Sequence, residues 1–289
     1  MLTLEQTVQN VITTKGLFAI PVEAFMFDWA ILNRIFVSTF HKYERFCPKL
    51  NTIQTSGGNP IVMPEDCIYP RAIGFGNAAM IPPQTVAVDR QSWSYNRETR
   101  QLSVFTNTGS SAPFQVQYLA RHKQIIPEVE PVIFEVFDGE TEVELQLDFV
   151  PDEKDFKVSK GESTLGITAR DRHTWTLSGS LGDATLDLTS LKLKIVQKDT
   201  VAGNIEVSYT PKYAAFDFIT EDAEFFETWF AANLLSSLGN IKAIVRMDAM
   251  PNNIDADGLI SQGKDLMNNV IDWQKEKQKW WLGYISSRV

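Results

Sequence analysis

Three histidines (His41, His122 and His173), two cysteines (Cys47 and Cys67) and a crowd of acids between Glu135 and Asp148 are the groups from which this 289-residue chain would have to build a reactive centre. Hydrolytic chemistry needs a nucleophile, a base and an orienting acid converging in one cleft. The histidines lie in unrelated segments, and none belongs to an HExxH, GxSxG or GxxxxGK[ST] pattern. His41 falls beside an aromatic helical run, where a surface or helix-end position is expected. The cysteines lack the C-x-x-C spacing that holds a metal, so both are expected to be plain thiols in a reducing compartment. Glu135, Asp138, Glu140, Glu142, Glu144 and Asp148 raise the question of a calcium site or a carboxylate pair. They alternate with Val143, Leu145 and Leu147 or fall at a turn, which is the spacing of a solvated strand face. Asp255-Ala256-Asp257-Gly258 begins like an EF-hand loop but lacks the later acids. The expectation is therefore a non-enzyme with no catalytic, metal or cofactor site.

The elements that would position any site read as follows. Thr3 and Gln6 form a capping box for a helix over residues 4–13, with Leu4, Val8, Val11 and Ile12 at helical spacing and Gly16 beyond its end. Pro21 suits a first helical turn, and Phe25, Trp29, Ile35, Phe36, Phe40 and Tyr43 recur from there towards Pro48, predicting a long aromatic helix. Residues 51–60 read as a loop, and the proline-interrupted stretch 61–75 as an extended connector. Residues 92–95 and 102–105 pair as a hairpin, and 115–119 add a strand. Beyond Pro127 a period of two takes over. Val132, Phe134 and Val136 run to a turn at Asp138-Gly139, and Val143, Leu145, Leu147 and Phe149 return, predicting a hairpin. Six further strands follow, near residues 156–158, 165–168, 174–177, 185–188, 191–196 and 205–209, at a spacing that closes into a sandwich or small barrel. Trp93 with Val116-Gln117-Tyr118, and Trp175 with Val207-Ser208-Tyr209, form a short internal echo that the strand preference for Trp, Val and Tyr also explains. Thr220 with Glu221 and Asp222 caps a helix carrying Phe225, Phe226, Trp229, Phe230, Leu234, Leu238 and Ile241, with Gly239 allowing a bend or close approach. A last helix runs from Asn253 or Asp255 to Trp280. The fold class is thus α+β, with a helical body over 1–126 and 211–289, including a β-hairpin region, and an inserted antiparallel β-sandwich or small barrel over 127–210.

Composition narrows the function. With 44% hydrophobic residues, 18 Phe and 7 Trp, the chain has the make-up of an ordered globular protein. A net charge of -9 argues against specific nucleic-acid binding, which draws on clustered Lys and Arg. It suits ordinary solubility, and equally a lumen through which DNA passes without being gripped. No run approaches the ~20 apolar residues of a membrane span, and the first ten residues lack a basic region, so neither membrane nor secretion is expected.

Two aromatic clusters are less readily assigned to a core, Trp280-Trp281-Leu282 with Tyr284, for which self-packing and interface anchoring are both open, and Phe25-Met26-Phe27 with Trp29. Interfaces draw on such residues as anchors. The run Tyr43-Glu44-Arg45-Phe46-Cys47-Pro48, the Pro-rich connector, the Trp-Tyr hairpin, Phe225-Phe226-Glu227-Thr228-Trp229-Phe230 and Leu234-Leu235 together resemble the head-to-tail connector (neck or adaptor) proteins of contractile-tailed bacteriophages. Baseplate and tail proteins of the same viruses come second. The resemblance covers mainly residues 1–120 and 203–289. It implies a homo-oligomeric ring in a virion, assembled in the host cytoplasm, with portal and tail proteins as partners and the terminal helices as ring wall. Trp280, Trp281 and Tyr284, with Phe25 and Trp29, would then be interface residues. The inserted β domain departs from the family pattern. A carbohydrate-binding β-sandwich is the alternative from another class, with Trp93, Trp175 and Tyr209 as stacking platforms.

Overall fold

The computed structural model describes residues 1–14, 29–55, 59–75, 93–105, 114–171, 173–217, 223–244 and 256–286. The described residues include four helices, α1 (Leu4–Thr14), α2 (Trp29–Tyr43), α3 (Ala223–Ile244) and α4 (Ala256–Ser286). Strands β1 (Lys49–Thr55), β2 (Ile61–Val62), β3 (Cys67–Phe75), β4 (Trp93–Asn96), β5 (Gln101–Val104) and β6 (Phe114–Ala120) precede a second group. That group is β7 (Gln124–Ile125), β8 (Val132–Val136), β9 (Glu142–Gln146), β10 (Lys157–Lys160), β11 (Ser163–Arg170), β12 (Thr174–Gly179), β13 (Gly182–Asp187), β14 (Lys192–Gln197), β15 (Gly203–Ser208) and β16 (Ala215–Phe216). The chain forms two compact units: Met1–Val37 with Gln124–Asp217 and Glu227–Leu266, and Ser38–Lys123 with Phe218–Phe226 and Met267–Val289.

The first unit is organised by an eight-stranded antiparallel sheet in the order β8-β15-β10-β11-β12-β13-β14-β9. Burial alternates strictly in β14, where Leu193, Ile195 and Gln197 are buried between exposed Lys192, Lys194 and Val196. One core of Leu145, Leu177, Leu186, Leu193, Ile205 and Val207 with their neighbours fills the interior. Chain connectivity forces the sheet to curl. A flat sheet of eight strands is roughly 34 Å from first strand to last. The edge strands β8 and β9 are joined by residues 137–141, whose six Cα steps reach at most about 21 Å. The result is a nearly closed, barrel-like sheet.

This corrects the expected hairpin. β8 and β9 follow one another around a turn, with the Glu140 N–H donating to the Phe137 carbonyl and Gly139 at φ 92°, yet they are not partners. β8 pairs with β15, setting Val132 opposite Val207 and Phe134 opposite Ile205. β9 pairs with β14, where Glu144 faces Lys194 and Gln146 faces Lys192. Diagonal ion pairs Lys192–Glu144 (2.7 Å) and Lys194–Glu142 (2.8 Å) lie on the outer face. A period of two assigns each residue to a face without naming the neighbouring strand, and here the lysines of β14 complement the acids of β9.

The terminal helices complete this unit. Thr3 Oγ1 accepts the Gln6 N–H at 3.2 Å, so the cap expected for α1 is present. Leu2 exchanges backbone hydrogen bonds with Phe216. Phe36 of α2 packs on Phe216 (5.7 Å between ring centroids) and edge-on against Phe230 of α3 (6.2 Å, 79°), so segments from both ends of the sequence meet. Gly263 of α4 lies against α3. A Cβ there would sit 2.9 Å from Ser236 Oγ and 3.2 Å from the Ala232 carbonyl oxygen.

The second unit holds the sheets β1-β6-β3 and β2-β5-β4 around Ile61, Met63, Ile73, Leu102, Val104 and Val116. The hairpin expected at Trp93 is present, with Trp93 opposite Val104 and Tyr95 opposite Leu102. Two expectations are corrected. The loop over 51–60 contains most of strand β1, and the connector over 61–75 contains strands β2 and β3. β6 pairs with β1 on one side and β3 on the other, and β3 absorbs Pro70 at an edge through register shifts at Cys67/Tyr69 and Pro70/Ala72. Aromatic side chains of three helices pack here as well: Tyr43 stacks on Trp273 (5.8 Å, 6°), Phe225 on Trp273 (4.9 Å, 19°), and Phe40 meets Phe226 edge-on (5.7 Å, 64°).

Candidate functional site

A cavity of about 1120 Å³ opens in the first unit, walled by α1, the start of α2, the chain leaving β9 and the turn between β13 and β14. Helical periodicity sets the α1 wall. Glu5, Gln9 and Thr13 stand at i, i+4 and i+8 and form a polar row, with Val8 and Ile12 as an apolar row beside it. The opposite face of the helix carries Leu4, Thr7 and Val11, all buried.

Glu5 is 7% exposed, and its Oε1 accepts the Val150 N–H at 3.1 Å. Burial raises its carboxyl above the usual range, against the hydrogen bonds from its own and the Val150 backbone. Across the cavity, partial burial pushes Asp187 up. Hydrogen bonds from the Ser190 hydroxyl (2.7 Å) and the Thr189 N–H (2.8 Å) outweigh it and hold the carboxyl below its usual value. The Gln146 amide donates to the Ser190 carbonyl at 2.8 Å, pinning the turn. Trp29 forms the floor near α2, its indole N–H donating to the Leu188 carbonyl at 2.6 Å and its ring packed against the barrel core.

The sequence-predicted residues fall in different places. Trp29 thus makes its polar contact within its own chain. Phe25 lies outside the described residues, as do Pro21 and Thr220. The backbone of Trp280, Trp281 and Tyr284 belongs to α4, and their side chains lie outside the described set. Trp175 (4% exposed) and Tyr209 (7%) are buried in the barrel core, where Phe156 packs on both, so neither is a stacking platform. Half-buried Trp93 sits in the second unit beside Tyr69.

The histidines form no catalytic set. His41 is exposed on α2 and His173 is exposed at the rim of the cavity. His122 is buried in the second unit, edge-on to Phe40 (5.4 Å), with Nε2 donating to the Cys47 carbonyl at 2.9 Å. Asp66 accepts from Tyr118 and Asn51. Next to it, burial raises the Cys67 thiol, and burial pushes its hydrogen-bond partner Tyr95 up to about 12. The acids of the β8–β9 region are exposed, as their spacing predicted. Among the described residues no group of three or more His, Cys, Asp or Glu side chains is arranged to hold a metal ion, and no helix is long and apolar enough to cross a membrane. Sequence reasoning missed the cavity altogether. The one available signal was the polar row Glu5-Gln9-Thr13 on a helix otherwise apolar at that spacing.

The fold defines the chain as an α+β protein in which helices from both termini meet and a barrel-like antiparallel sheet is inserted between them in sequence. Comparison with family models, curated proteins and solved structures finds no match.

Proposed function

We propose that this chain is a virion structural protein, a non-catalytic subunit of the neck ring that joins portal to tail in a contractile-tailed bacteriophage. The observation that carries the reading is the layout of the chain. Helices from its two ends pack through Phe36 and Phe230, and through Tyr43 and Trp273, and the residues between them are β-rich. Ring subunits joined head to tail require a surface and its complement on the same molecule, and closed rotational symmetry follows when the rotation closes. Trp280, Trp281 and Tyr284, whose backbone belongs to the 31-residue α4, are the residue types that would serve as aromatic anchors between neighbours in such a ring. The net charge of -9 suits a wall past which DNA slides.

Native mass spectrometry of the purified chain tests the reading. A single closed species at an integral multiple of 32.7 kDa is the expected result, with ring-shaped particles by negative stain. A chain that remains monomeric at every concentration, alone and with portal protein, overturns it. Assembly with baseplate proteins instead of portal would move the subunit to the other end of the tail.

A further inference from the structure

β8 and β9 end the order of the curled sheet, and β8 is the apolar edge. Among the described residues no backbone hydrogen bond joins the outer side of β8 to another segment. Ile133 is 65% exposed, and Phe137, one residue past the strand, 62%. Phe134 stands between core-facing Val132 and Val136 in the period of two, yet it is 36% exposed, as expected where the seam of the sheet is open. An unpaired edge of this kind is a template for a strand from another chain.

Charge says which chain. Between Lys123 and Lys154 the sequence carries ten Asp and Glu and no Lys or Arg. Glu128, Glu130 and Glu135 are exposed along the edge, and no ion pair engages them among the described residues. Residues 124–217 hold nine Lys and Arg against eighteen Asp and Glu, a balance of -9, whereas residues 38–123 hold nine against five, a balance of +4. The chain therefore carries an acidic β region and a basic one, and the basic region has its own open edge. β4 ends the order β2-β5-β4, and its outer side has no backbone partner among the described residues. Tyr69 packs on Trp93 (5.8 Å) and Tyr95 (6.1 Å) beside it, and exposed Arg97 follows the strand. Trp, Tyr and Arg are the types that dominate interface hot spots.

We infer that β8 of one copy pairs with β4 of a second copy, acidic edge against basic edge, repeated head to tail. Five residues of β8 meet four of β4. Pairing of β8 with itself would set its acids against one another, which disfavours a two-fold dimer and leaves the heterologous contact that a ring needs. The inference rests on the neck-ring reading for self-association and adds the surfaces that meet.

Hydrogen exchange of the full chain tests this, at concentrations where native mass spectra show monomer and where they show assembly. Assembly is expected to slow exchange in residues 132–137 and 93–96. Glu130→Lys with Glu135→Lys reverses the acidic edge, and Arg97→Glu the basic one. All three side chains are exposed, and circular dichroism checks the fold. Each variant alone is expected to need at least about tenfold more protein to associate. Mixed in equal amounts, the two should form a dimer at the parental concentration, because the first still offers an intact β4 and the second an intact β8. Assembly that leaves either segment exchanging as in the monomer, or that is unchanged in either folded variant, overturns the inference and leaves the neck ring standing. Protection of both segments in an open string of copies supports the pairing and overturns the ring. A chain monomeric at every concentration overturns both.

Discussion

Replacing Glu5 separately by Gln and by Ala distinguishes the hydrogen bond it makes from the charge it carries. The side chain is 7% exposed and accepts the Val150 N–H at 3.1 Å. Glu5→Ala leaves that amide without its acceptor in a buried place, a cost of about 1–3 kcal/mol. Glu5→Gln keeps a carbonyl oxygen within the same reach, so the amide stays paired. The charge acts in the opposite direction. Burial raises the folded-state pKa above the unfolded value near 4.5, so the folded chain holds the proton more tightly. The stability linked to this proton is fully present below the unfolded pKa and is lost as pH rises through the raised folded value. Gln has no proton to lose, so the Gln variant is expected to be at least as stable as the parent at neutral pH.

Urea unfolding followed by tryptophan fluorescence, at about pH 5 and about pH 8, measures both effects. With a slope of roughly 2 kcal/mol per molar urea, a loss of about 2 kcal/mol lowers the midpoint by about 1 M for the Ala variant. The Gln variant should gain on the parent as pH rises. If Gln falls as far as Ala at neutral pH, the buried charge is stabilising and the argument from burial fails. If the Ala midpoint does not move, the Val150 hydrogen bond contributes nothing to the fold.

Leu177, 0% exposed at the centre of the barrel, should cost about 2–5 kcal/mol when changed to Ala, read as a lower urea midpoint with the far-ultraviolet circular dichroism preserved. Gly182→Ala should be among the most damaging single changes, at least about 3 kcal/mol. Its φ of 149° disfavours an L side chain, and a Cβ would come 2.0 Å from the Val196 carbonyl oxygen, so loss of hydrogen-exchange protection in β13 and β14 is the readout. In a Cys47→Ser background, Cys67 should react with iodoacetamide at about pH 8 more slowly than a cysteine peptide. Burial raises its thiol, with Asp66 adding to the shift and the Tyr95 hydrogen bond opposing it. Equal rates would refute that placement.

Much of the fold was legible because local rules and tertiary packing agree. The Thr3 cap, the strands from β10 to β15 and the exposed acids of the β8–β9 region all follow from spacing alone. The elements that resisted are those whose stability comes from a partner. β1, with the half-polar sequence KLNTIQT, becomes a strand because β6 pairs with it along seven residues. β3 tolerates Pro70 because it lies at a sheet edge. Trp175 and Tyr209 resembled binding platforms because Trp and Tyr serve equally at cores and at surfaces, and only the packing against Phe156 decides which.

Periodicity, capping and composition by themselves determined that this is an ordered α+β chain with helices at both ends and a β-rich middle. They did so because each residue carries its own hydrophobicity and backbone preference wherever it stands. Three features were left to the tertiary structure: the parting of β8 from β9 to opposite edges of a curled sheet, the meeting of Phe36 with Phe230, and the cavity that brings Glu5 and Asp187 to facing walls. Each depends on which distant surface a face is buried against, and a repeat of two or 3.6 residues records that a face is buried without recording its partner.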